Sequence, residues 1–141
     1  MAHLLTFTVA GMSPAPQGSK RHVGGGKIIE ASPRLKPWRY LVQQAAIETG
    51  HDIIRGPVAL DCVFLFKRPK YHFRANGQLK DTAPQWHSVV PDGSKCLRST
   101  EDSLVDAGLI EDDSRISLSR YEKRYCTGEQ KPGVIISIYS L

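Results

Sequence analysis

The chain has 141 residues, 40% of them hydrophobic, which suits one compact domain over residues 1–141 and leaves too little for two domains that would each bury an adequate core. Nineteen Lys and Arg against fourteen Asp and Glu give a formal charge of +5, so a polyanion is a natural partner, although charge alone does not identify one. Three widely spaced cysteines form no CxxC or Cys/His pattern, which argues against a disulfide framework and structural zinc.

His3–Ala10 is apolar and strand-favouring, and Gly11–Gly26 follows as a basic loop carrying Pro14, Pro16 and several glycines. Lys27–Glu30 reads as a short returning strand. Ser32-Pro33 supplies a cap and first-turn proline for a helix running to about Thr49, which Gly50 closes; Pro37 lies in its first turns or delays its start. Trp38, Leu41, Val42, Ala45 and Ala46 recur at helical spacing and mark its buried stripe. Pro57–Phe66 has the look of a central strand with Val58, Leu60, Cys62, Phe64 and Phe66 on one face.

Lys67–Val90 is a long polar, basic connection, of the kind that in a small domain is functional or disordered. Its histidines, His72 and His87, read as solvated loop residues. A second helix fits Ser94–Ala107, with Leu97, Leu104 and Gly108 on one side and Gly108 as its stop. Arg115–Tyr125 alternates as a strand, and Lys131-Pro132-Gly133 turns the chain into a last strand, Val134–Leu141. The order predicts an α+β fold: a single domain with a mixed β-sheet and two main helices. No hydrophobic run approaches the roughly 20 residues of a membrane span. The N-terminus lacks the basic, apolar and cleavage regions of a signal peptide, so a cytoplasmic protein with no membrane association is expected.

The segment Val90–Ile116 holds most of the chemistry. Asp92 stands before the second helix, Arg98 and Asp102 lie one turn apart on it, and Asp112-Asp113 follow it. Magnesium prefers oxygen ligands and needs only one or two carboxylates beside water and substrate phosphate. Such a site could form if the next strand doubled back to bring Asp113 beside Asp92, with Arg98 neutralising the phosphate. Each residue also has a purely structural role open to it: Asp92 as a helix cap, Asp112-Asp113-Ser114 as a polar connector, Arg98 and Asp102 as a surface ion pair. The basic residues preceding position 90, with Lys95, supply candidate DNA contacts in Lys20, Arg21, Lys36, Lys67, Arg68 and Lys95. Trp38, Trp86, Tyr121 and Tyr125 could stack on bases, with core packing the expected use of Trp38.

In register, Pro91, Asp92, Asp102, Leu104, Ala107, Gly108, Asp112, Asp113 and Ile116 resemble the signature of RusA-type Holliday junction resolvases, with Arg98 where that family commonly has lysine. PAPQGSKRH near the N-terminus and the KPWR helix resemble phage-borne members. The resemblance implies a homodimer that binds four-way junctions or other branched DNA and nicks paired strands symmetrically with Mg2+, or Mn2+ as substitute. Asp92 and Asp113 would be metal ligands, Asp112 a supporting acid and further ligand, and Arg98 the essential cation. The chain departs from the signature at Ser94, where the second aspartate is expected, and at Lys95 and Cys96. With about 3.6 residues per turn, Glu101 falls near the face shared by Ser94 and Arg98 and could partly replace the missing charge. Two other readings stand beside cleavage: a junction-binding module of the same fold with reduced or lost activity, and an unrelated basic α+β protein with coincidental aspartates.

Overall fold

The computed structural model describes residues 1–18, 20–30 and 32–141, without the side chains of 20–22 and 28–30. Four strands, β1 (Ala2–Ala10), β4 (Val58–Phe66), β5 (Ile116–Tyr125) and β6 (Gly133–Ser140), form one sheet in the order β1-β6-β4-β5. β6 is antiparallel to both β1 and β4, whereas β4 and β5 are parallel, so the sheet is mixed. A separate hairpin pairs β2 (Lys20–His22) with β3 (Ile28–Glu30). Its turn passes through Gly24, Gly25 and Gly26, all at positive φ, which glycine adopts without the clash a Cβ would bring. The short basic strand β2 lies inside what the sequence suggests is wholly loop.

Helices α1 (Leu35–Glu48) and α2 (Gly93–Asp106) pack against the sheet. Trp38, Val42 and Ala46 of α1 and Cys96 and Leu104 of α2 are buried with Val9, Val58, Leu60, Cys62, Phe64, Val134, Ile136 and Ile138 from the strands. Full burial of each large apolar side chain contributes roughly 1.5–3 kcal/mol before chain entropy is counted. A polar row crosses the sheet in register: Thr6 bonds to Ser137 at 2.9 Å, Ser137 pairs with Asp61, and Asp61 holds Arg120 at 3.2 Å. On β4 this row interrupts an otherwise apolar second face, since Ala59 and Leu65, which alternate with the core residues as Asp61 does, are also buried.

Helix α1 starts two residues later than Pro33. Arg34 is its N-cap and makes no side-chain cap bond. The reason lies in Pro37: begun at Pro33, the helix would need an N–H from Pro37 for its first internal bonds, whereas begun at Leu35 it places Pro37 in the first turn, where no N–H is required.

The 67–90 connection is not simply solvated. His72 and His87 are both buried. His87 stacks on Phe66 with ring centroids 3.8 Å apart, and its backbone N–H donates to Lys123 O at 3.1 Å. His72 meets Tyr125 edge-on at 5.0 Å. Arg68 donates to Pro84 O at 2.8 Å, lies 3.2 Å from His72 Nδ1 and covers the Tyr125 ring. The connection is folded back over the ends of β4 and β5 by aromatic contacts that no regular spacing announces.

Candidate active site

Asp92 caps α2. Its Oδ1 accepts from the Ser94 backbone N–H at 3.0 Å and from the Ser94 hydroxyl at 2.8 Å. These two bonds, the hydroxyl first, hold the Asp92 carboxyl below its ordinary pKa. The serine that replaces an expected aspartate is therefore the principal partner of Asp92. Just after the cap, Gly93 is buried beneath Tyr121, so β5 does double back beside the helix start. Lys123 follows on the same strand and donates from Nζ to Val89 O at 2.6 Å.

A second acidic group lies at the other end of α2. Asp102, Asp106, Asp112 and Asp113 line one cavity of about 310 Å³ together with Arg39 and Val105. Asp112 caps a short 3-10 turn, accepting from Ser114 N–H at 2.9 Å. The Ser114 hydroxyl and N–H, and then the adjoining Asp113 carboxyl, hold the Asp112 pKa below its usual range. Asp102 accepts a hydrogen bond from Gln17 Nε2, and Asp106 forms an ion pair with Arg39. Arg39 also reaches Gln17 Oε1 at 3.3 Å, so α1, α2 and the 13–18 loop are tied together at this cavity. Glu101 is partly buried; desolvation raises its pKa, with Asp102 and Asp113 adding to the rise and the Ser119 hydroxyl opposing it.

Asp112 and Asp113 are thus brought together with Asp102, and Glu101 joins that group rather than Ser94. Among the described residues Asp92 lines the cavities at the start of α2, and Asp113 lines the one beside Asp102. Ten residues of helix separate Asp92 from Asp102, roughly 15 Å. The strand that returns to the helix start brings Tyr121 there, because Asp113 precedes β5 and Tyr121 is five residues into it beyond Ile116, roughly 17 Å of extended chain. Arg98 is exposed beside Gly18, where an added Cβ would meet its guanidinium at 3.4 Å. The ion pair between Arg98 and Asp102 does not form among the described residues.

Of the candidate DNA contacts, the side chains of Lys20 and Arg21 lie outside the described residues. Lys36 is exposed on α1; Lys67 and Lys95 line one cavity of about 480 Å³. Arg68 is engaged within the 67–90 connection, as described above. Sequence reasoning missed Arg39, Asp106 and Gln17. The signal for Asp106 was its place one turn after Asp102, whereas the association of Arg39 and Gln17 with the acids depends on how α1 crosses α2.

No group of three or more His, Cys, Asp or Glu side chains converges as a metal cage among the described residues. The donor chemistry nevertheless fits magnesium or manganese at Asp112 and Asp113: two hard carboxylates face an open cavity, and such ions complete their shells with water and substrate phosphate. Among the described residues no helix is long and apolar enough to cross a membrane.

No individual curated protein matches the chain. The family model of endodeoxyribonuclease RusA matches residues 12–139, which span β2 to β6, both helices and every acid described above. The chain therefore belongs to the RusA endodeoxyribonuclease family, membership of which implies Holliday junction resolvase nuclease activity on branched DNA.

Proposed function

We propose that the protein is a homodimeric, Mg2+- or Mn2+-dependent endonuclease that resolves four-way junctions by paired symmetric nicks in recombination, repair or phage replication. The observation that carries the metal assignment is the Asp112–Asp113 pair facing Asp102 in a cavity open to solvent. In this reading Asp112 and Asp113 hold the ion, which when bound would activate water and offset charge on the leaving oxygen. Asp102 and Glu101 add to the negative field there. Arg98, exposed on α2, neutralises phosphate charge, and Asp92 acts as a separate carboxylate at the helix start. The two-fold symmetry of a junction calls for two related sites, which a homodimer supplies.

A specific observation favours a second reading, in which the chain binds junctions with reduced cleavage. The Ser94 hydroxyl and N–H both engage Asp92, and among the described residues no group of three or more His, Cys, Asp or Glu side chains forms a metal cage.

Mn2+ binding measured by electron paramagnetic resonance, alongside nicking of a synthetic four-way junction, separates the roles. Asp113→Asn is expected to weaken Mn2+ binding and abolish nicking. Asp92→Asn is expected to lower nicking while leaving Mn2+ affinity unchanged. An equal loss of Mn2+ binding in both variants would contradict the separate assignment, and a wild-type protein that binds junctions but does not nick them would establish the second reading.

A further inference from the structure

The 480 Å³ cavity at the start of α2 is distinct from the one that holds Asp112 and Asp113. Its size falls within the roughly 300–1,000 Å³ of sites that enclose small organic groups. Its walls are unlike those of a simple phosphate track. Pro14, Ala15, Val90 and Pro91 line it with apolar surface, and Phe66 and His87, stacked on one another, contribute aromatic surface. His87 is 7% exposed, and its Nδ1 has no hydrogen-bond partner among the described residues. Burial holds its pKa down to about 4, with Lys123 adding to the effect, so the aromatic pair is uncharged at neutral pH.

The charged lining is mainly cationic. Arg34, Lys67 and Lys95 stand against the single carboxylate of Asp92. The side chains of Arg34 and Lys67 have no ion pair or hydrogen bond among the described residues, and both residues are exposed. An apolar, aromatic hollow edged by cations matches a flat aromatic ring joined to a phosphate. It matches duplex DNA poorly, since bases stacked in a helix cannot enter a hollow.

We propose that this cavity receives one unstacked nucleotide from the branch point of the DNA, its base against the Phe66–His87 pair and its phosphate against Arg34 and Lys67. The proposal rests on the reading of the protein as a branched-DNA enzyme and adds a subsite to it. Extruding a base costs least where it is already unpaired or poorly stacked, so such a pocket would favour branch points over continuous duplex. Stacking on aromatic side chains tolerates any base, and the polar groups nearby, the Ser13 and Ser32 hydroxyls and His87, would set any preference.

The test uses a four-way junction carrying 2-aminopurine at the branch point, bound in EDTA so that the DNA stays intact, with affinity followed by anisotropy. Wild type is expected to raise 2-aminopurine emission severalfold. Ser13→Trp, which fills the cavity, should remove the rise while junction affinity changes little, and Lys67→Ala, at an exposed position, should reduce it. Junction binding with no rise in wild type, or an undiminished rise in Ser13→Trp, would overturn the subsite alone. No junction binding by wild type would overturn the reading on which it rests. Deoxycytidine monophosphate titrated into the protein distinguishes the source: chemical-shift changes at His87 from the free nucleotide, without any rise on the junction, would assign the cavity to a free ligand and overturn the proposal.

Discussion

The Tyr121 ring occupies the space that a side chain at Gly93 would need: a Cβ built on Gly93 would stand 2.7 Å from Tyr121 Cζ and nearer still to Cε1. The first turn of α2, and with it the Asp92 cap, is pressed against β5 through this absence of a side chain. Because Tyr121 is partly exposed, its ring can swing outward, and Gly93→Ala is expected to cost on the order of 1 kcal/mol rather than prevent folding. The cost should largely vanish in a Tyr121→Ala background, giving coupled effects in urea denaturation of the four variants. Strict additivity would show that the two residues do not compete for one volume.

Gly133 is a harsher case. A Cβ there would meet backbone, 2.8 Å from Val9 C and closer to Val9 O, at the point where β6 begins its pairing with β1. Backbone cannot rotate away as a ring can. Gly133→Ala is therefore expected to destabilise by roughly 2–4 kcal/mol, measured as the shift in denaturant midpoint at unchanged slope. A loss below about 1 kcal/mol would mean that the strand pair parts easily at this point.

These two glycines also show what could be read in the chain and what could not. β1, β4, β5, β6 and both helices were legible because apolar residues recur at intervals of two, or of three and four, and Gly108 marked the end of α2. β2 was not legible, since three basic residues have no period. The long connection misled because His72 and His87 are held by aromatic rings from β4 and β5, residues distant in sequence. For the candidate site, the acids themselves were plain. Their grouping was not, because it depends on the path between α2 and β5, which leaves Asp113 at the Asp102 end and carries Tyr121 to Asp92.

The buried His87 makes a pH-dependent contribution whose sign follows from its lowered pKa. The unfolded chain takes up a proton near the ordinary 6.5, whereas the folded chain does so only near 4. Stability is thus fully present above about pH 6.5 and declines as pH falls toward 4, with a slope of up to about 1.4 kcal/mol per pH unit from this group. His87→Phe, which keeps a ring on Phe66, should flatten stability against pH across that window relative to wild type. Parallel wild-type and variant curves would mean that His87 is protonated in the folded protein.

Ser94 and Glu101 belong to opposite acidic groups in this structure, the first with Asp92 and the second with Asp102 and Asp113. Seven helical residues separate them by roughly 10 Å. In magnesium titrations of nicking rate, Ser94→Asp and Glu101→Gln are therefore expected to act additively. Glu101→Gln should alter the magnesium requirement in both backgrounds. Strong coupling would place the two side chains in one site and contradict the grouping.

The most direct test of the account is nicking of a four-way junction and of a linear duplex of matched sequence by wild type and Asp113→Asn, across a magnesium titration. Wild type should nick the junction only when the ion is present and leave the duplex intact, while Asp113→Asn should bind the junction and leave it uncut at every magnesium concentration. Asp113→Asn nicking at the wild-type rate, or wild type nicking in excess EDTA, would contradict the central claim that this carboxylate serves a metal-dependent junction endonuclease.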